Sequence, residues 1–83
     1  MAYFVYVIIT KKKSKVISYV GYTNNLKKRL NLHNTGKGAK FTRGRTWKII
    51  YTEKCTTISE AKSREYYIKK NRKFRNFIKR RYK

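Results

Sequence analysis

Two stretches, Tyr3-Phe4-Val5-Tyr6-Val7-Ile8-Ile9 and Val16-Ile17-Ser18-Tyr19-Val20-Gly21-Tyr22, decide the fold of this chain. The first is β-branched and aromatic throughout, the profile of a central, buried strand. The second has the same chemistry, and Gly21 near its end marks a close backbone approach or a bulge. Lys11 to Lys15 between them are polar and charged, a solvated turn, so the pair reads as a hairpin.

Thr23 or Asn24 can cap a following helix, in which Leu26, Leu30 and His33 recur at helical spacing. Asn34 to Gly38 close it, with Gly36 suited to a left-handed cap. Residues 35 to 46 form a basic loop, and Trp47 to Thr52 read as a third strand. Thr57 and Glu60 have capping-box spacing for a second helix that runs to about Lys70. The tail from Asn71 to Lys83 is helix-compatible and very basic, with Phe74, Phe77 and Ile78 on its apolar side. The order β-β-α-β-α-α predicts an α+β fold, a small three-stranded antiparallel sheet flanked by helices. Neither a repeat nor a linker interrupts residues 1–83, which read as one domain.

Charge bounds the partners. Among 83 residues, Lys and Arg number 24 against three acids, for a formal net charge of +21. Such a balance repels itself in the compact state, and a polyanion relieves it. The 40% hydrophobic content, with 8 Tyr, 4 Phe and 1 Trp, still supplies a modest core, which argues against disorder. Cys55 is the only cysteine, so an intrachain disulfide and a four-ligand zinc site built on cysteines are excluded. A reducing, cytoplasmic setting is expected. The run from Tyr3 to Ile9 is too short to span a membrane and lacks the flanks of a signal peptide. The tail has too few apolar residues for firm membrane insertion.

The acids are Glu53, Glu60 and Glu65. Glu60 reads as a helix cap and Glu53 as a surface acid at a strand end. Glu65 shares a helical face with Ile58, Ala61 and Ile68, so the spacing points it toward the core. A lone inward carboxylate is costly unless paired or metal-bound; by spacing alone, Glu65 is either an ion-pair partner of a basic neighbour or a ligand for a hard cation. Arg29 and His33, four apart, share a face of the first helix. As an isolated pair they read first as a solvated Arg beside a capping His; the alternative is phosphoryl-charge stabilisation and proton relay. Tyr6, Tyr19 and Tyr22 are, in isolation, ordinary strand tyrosines.

In order along the chain, these residues resemble a known family. Phe4-Val5-Tyr6 resembles the first half of the GIY-YIG nuclease signature, with Phe and Val in place of Gly and Ile, and Tyr19-Val20-Gly21 resembles the second half. Asn25 to His33 is similar to the family's following helix with its Arg, and Arg64-Glu65 to its later metal-binding Glu. The loop from Asn34 to Gly44 resembles the short, stand-alone bacterial branch related to the excinuclease C-subunit N-terminal domain and to Slx-type nucleases. The resemblance implies an endonuclease hydrolysing phosphodiester bonds in DNA, with RNA as the second-ranked nucleic acid and structure-specific repair or recombination as its setting. It further implies that Tyr6 and Tyr19 line the site and that one of them handles the nucleophile's proton. Arg29 would stabilise the phosphate, with His33 beside it, and Glu65 would hold one divalent cation, Mg²⁺ or Mn²⁺. The late Asn of many members would fall on Asn71 or Asn76.

Nucleic-acid contacts are expected from Lys27 and Lys28 on the helix, from Lys37, Lys40, Arg43 and Arg45 in the loop, and from Arg72, Lys73 and Arg75 in the tail. Substrate choice falls to this basic surface or to a protein partner. The rival reading is a basic nucleic-acid-binding module with weak or no cleavage, in which Phe41, Trp47, Phe74, Phe77 and Tyr82 stack on unpaired bases. Metal-dependent scission that Glu65→Gln abolishes separates the two.

Overall fold

The computed structural model describes residues 2–38, 42 and 44–82, with every side chain among them except those of Lys12 and Tyr82. The elements are β1 (Tyr3–Lys12), β2 (Lys15–Thr23), α1 (Leu26–Asn34), β3 (Lys48–Cys55), α2 (Ile58–Lys70) and α3 (Arg72–Tyr82). The strands form one antiparallel sheet in the order β2-β1-β3. This is the α+β architecture and element order that the sequence leads one to expect.

The unbroken apolar run of β1 follows from its central place. Val5 and Val7 face one side, where Val20 and Cys55 meet Ala61 and Ile68 of α2 and Ile78 of α3. Tyr6 and Ile8 face the other, packed with Trp47, Tyr19, Leu26 and Leu30. With both faces covered, alternation disappears from the sequence, and α1 sits across the sheet from α2 and α3. β1 and β2 run on to a turn at Lys13-Ser14, with Lys12 paired to Lys15 and Lys13 in the left-handed region (φ 58°). Of the two expectations for Gly21, the close approach is the one met, against Tyr6, and the sheet's bulge lies on β3. Val7 pairs with Tyr51 and Ile8 with Ile49, which leaves Ile50 as the extra residue of a bulge.

The N-cap of α1 is Asn25, one residue past the expected pair. Its side chain accepts from the Lys28 amide at 3.0 Å, while Thr23 Oγ1 accepts from the Asn25 amide at 3.1 Å. The helix closes as expected on Gly36 (φ +79°), with the Lys37 and Gly36 amides donating to the Leu32 and His33 carbonyls at 2.8 and 3.3 Å. Thr57 caps α2 and accepts from the Glu60 amide at 3.1 Å; Glu60 reaches back to the Thr56 amide at 2.8 Å. Asn71 makes the α2–α3 corner, with its side chain accepting from the Phe74 amide at 3.0 Å.

One expectation about the acids is corrected. Glu53 is not a solvated strand end: Arg64 of α2 donates to both its oxygens at 2.8 Å, and Tyr51 donates to it at 2.5 Å. Arg64 holds the Glu53 carboxyl below its ordinary range, and burial together with Glu53 pushes the Tyr51 phenol up to about 12. This bridge fastens α2 to β3 and so sets where the next residue, Glu65, lies.

Candidate active site on the α1 side of the sheet

The alternation of β1 aims Tyr6 at α1. Its hydroxyl is hydrogen-bonded to His33 Nε2 at 2.8 Å, and His33 Nδ1 to Thr42 Oγ1 at 2.8 Å. The Trp47 indole N–H donates to the Thr42 carbonyl at 2.9 Å. Tyr6 is 3% exposed, His33 1% and Thr42 0%, so the chain of hydroxyl, imidazole and hydroxyl is dry. The Tyr19 ring stands edge-on to His33, centroids 5.2 Å apart, and 6.5 Å from Trp47.

Two glycines make room for this pair. Gly21 lies opposite Tyr6 in the β1–β2 register, and a Cβ there would sit 2.5 Å from the Tyr6 hydroxyl oxygen. A Cβ on Gly38 would collide with His33 Nδ1. The Gly of the Tyr19-Val20-Gly21 triplet is thus explained by the tyrosine across from it.

Burial raises the Tyr6 phenol well above its ordinary value; Tyr19 and Glu65 add to the rise and Arg29 partly offsets it. The fields of Arg29 on α1 and Glu65 on α2 therefore both reach this hydroxyl, with opposite signs. Burial, then Arg29, lowers the His33 imidazole below 6.5. At neutral pH Tyr6 keeps its proton and His33 is uncharged, able to accept one.

Glu65 is not enclosed in the core. Ala61 and Ile68 on its expected face are fully buried, but Ile58 is 46% exposed. The Glu65 side chain retains 22% exposure and pairs with Lys69 at 3.6 Å. It stands at the border of that face, open to water and to a ligand. Among the described residues no three His, Cys, Asp or Glu side chains converge. A single carboxylate fits a hard cation that keeps several waters and shares substrate phosphate oxygens, the habit of Mg²⁺; it would not suit a caged ion.

Tyr6, Tyr19 and His33 thus lie together, and Arg29 and Glu65 bear on Tyr6. The expected nucleic-acid contacts are more scattered. Lys27, Lys28, Lys37, Arg72 and Lys73 are exposed, whereas Arg45 and Arg75 are half-buried. Those on α1 and α3 flank opposite sides of the sheet. Lys40, Arg43 and Phe41 lie outside the described residues, as does the Tyr82 side chain. Trp47 is 3% exposed and Phe74 packs against the core, so neither is free to stack on a base. Of the two late asparagines, Asn71 is spent on the helix corner and Asn76 is exposed. By sequence, Thr42 and Gly38 carry no site role, and Trp47 carries a base-stacking role rather than this buried one. A lone His whose two ring nitrogens both need partners was the available signal, but it does not say which loop residue supplies the second.

This chain belongs to the GIY-YIG family. The model of the GIY-YIG catalytic domain matches residues 2–81. Similar proteins are short bacterial members of the same group, kin to the wider nuclease superfamily. A UPF0213 protein of Clostridium perfringens is 54% identical over 66 residues, covering 78% of this chain and 70% of its own. One of Oceanobacillus iheyensis is 45% identical over 73 residues, covering 87% and 81%. UPF0213 protein YazA of Bacillus subtilis is 46% identical over 69 residues, covering 82% and 67%. No solved structure matches the chain. The GIY-YIG membership gives the Tyr6–His33 pair its context, a family named for a catalytic domain.

Proposed function

We propose that this GIY-YIG protein is a divalent-metal-dependent endonuclease acting on DNA. The observation that carries the reading is the dry chain Tyr6–His33–Thr42, with Arg29 and Glu65 both acting on the Tyr6 hydroxyl. A phenol held protonated is a poor base by itself, yet it can pass protons. In this mechanism a water entering with the substrate at the small exposed edge of Tyr6 gives its proton to the phenol oxygen, and the phenol hands its own proton to His33 Nε2. The hydroxide so formed attacks phosphorus, and the bond to the leaving oxygen breaks. Thr42 accepts from His33 Nδ1–H and keeps Nε2 free as the acceptor. Arg29 stabilises the charge gathering on the phosphate. Glu65 would hold Mg²⁺ or Mn²⁺, which when bound offsets charge on the phosphate and leaving oxygens.

Branched or otherwise structured DNA in repair or recombination is the proposed setting, with substrate choice made by the basic surface or a protein partner. No described helix is long and apolar enough to cross a membrane, and the lone buried Cys55 suits a cytoplasmic site. The deciding experiment is a strand-scission assay on duplex, flap and branched DNA with Mg²⁺, Mn²⁺ or EDTA. Metal-dependent scission that Glu65→Gln abolishes, with binding retained, is expected. Tight binding with no scission in any arm would leave a binding module instead.

A further inference from the structure

A groove of about 500 Å³ runs between β3 and α3. Its floor is apolar, made by Ile50, Tyr51, Phe74 and Ile78, with the Tyr51 and Phe74 rings edge to face at 5.4 Å. Phe77 forms one wall and is 48% exposed, an unusual solvation for a phenylalanine. Lys48 and Arg81 stand at the rim, and the Arg81 guanidinium lies 5.7 Å from the Phe77 ring centre. No acid lines the groove. At 100° per residue, Lys73 and Arg80 come next round α3 from Phe77, on the outward side, and both are exposed. Flat apolar walls beside a row of cations complement one chemistry closely: an aromatic base joined to phosphates. We propose that this groove takes an unpaired base of a nucleic-acid strand, stacked against Phe77, with its flanking phosphates on Lys48, Arg81 and Lys73.

The place of the groove favours an unpaired strand over a duplex. Lys48 pairs with Ile9, three residues along β1 from Tyr6. With about 3.3 Å per residue and about 5 Å between strands, the groove mouth lies roughly 11 Å from the Tyr6 backbone. It opens on the opposite face of the sheet, and β3 is the edge strand between the two. A single strand can turn round that edge within a few nucleotides; a duplex, stiff over about 150 base pairs, cannot. This inference rests on the nuclease reading and narrows its substrate to nucleic acid with an unpaired flank.

The test is fluorescence anisotropy in EDTA at fixed salt, with labelled oligo-dT and a blunt-ended duplex of two complementary strands as probes. Stacking on an aromatic side chain is typically worth enough that Phe77→Ala weakens oligo-dT binding about ten-fold, while the duplex changes less than about two-fold. Phe77→Trp retains tight oligo-dT binding, and a thermal melt shows both variants folded. Equal losses on both probes, or none, overturn the groove while leaving the nuclease reading intact. Failure of the wild-type protein to bind either probe overturns both. A wild-type dimer in sedimentation that Phe77→Ala dissociates would assign the groove to a second copy and overturn the proposal.

Discussion

At the scale of single residues, the Tyr6–His33–Thr42 chain makes acidity the first lever. His33 has its imidazole lowered below 6.5, so the proposed relay would stay competent at neutral pH and fail as pH falls through that lowered value. Turnover should show an acid limb with its midpoint below 6.5, read from a pH–rate profile. Stability follows the same group: the unfolded state binds the proton first, so stability declines as pH drops below 6.5 and stops declining below the folded value. Thr42→Val removes the hydroxyl while keeping the volume. Turnover should fall about 10- to 100-fold, Thr42→Ser should restore most of it, and DNA affinity should hold. The chain has a single His, so one pair of ¹⁵N ring signals reports the tautomer. A proton on Nε2 in the wild type would contradict the relay. Glu65→Gln and Glu53→Gln separate the two acids. The first should abolish scission and leave the melt unchanged. The second strips Arg64 and Tyr51 of their partner; because Arg64 is 40% exposed, solvent limits the loss to about 1 kcal/mol.

At the scale of elements, Gly21 belongs to its strand pair more than to itself. Gly21→Ala should displace the Tyr6 ring, since the added carbon would lie 2.5 Å from the hydroxyl. Scission should be lost with the fold retained, as seen in activity and circular dichroism together. The elements themselves were legible because apolar runs, Gly36 and the Thr57–Glu60 spacing are local signals. The place of Glu65 on the Ala61–Ile68 side of α2 is legible from helical spacing, although it lies at that face's border. What sequence left hidden was non-local. The Glu53–Arg64 bridge spans eleven residues between a strand and a helix, and no periodicity announces it. The His33–Thr42 bond crosses a loop. The Asn25 cap was missed by one residue because Thr23, Asn24 and Asn25 are all competent caps, and only the backbone path selects one. Asn25→Ala should cost about 1 kcal/mol, measurable by chemical denaturation.

At the scale of the whole molecule, a charge of +21 sets how the protein meets its partner. Exposed cations lie on α1 and α3, across the sheet from each other, so a bound strand must wrap rather than lie flat to meet both. If about six of them contact phosphates, log K should fall with log salt at a slope near −5. Neutralising Arg72, Lys73 and Arg80 together should flatten that slope by about 3 without introducing sequence preference. An unchanged slope would remove α3 from the footprint. Polyanions should also raise the melting temperature, most strongly at low salt, because they relieve self-repulsion as well as bind.

The extra residue on β3 has a consequence for how such a chain can lengthen or shorten. Ile50 and Tyr51 both pack toward α3, whereas Ile49 and Trp47 pack toward α1. Dropping Ile50 would restore strict alternation without changing which way Ile49 or Trp47 points. Adding a residue at the same place would also leave both on their face, but would slide them two residues along β1 and out of their packing. The strand is therefore asymmetric toward insertion and deletion, and the one omission it tolerates falls on the floor of the groove. If the proposed scission and groove hold, a chain lacking Ile50 should keep the first and lose preference for unpaired flanks, separating by one codon cutting from holding.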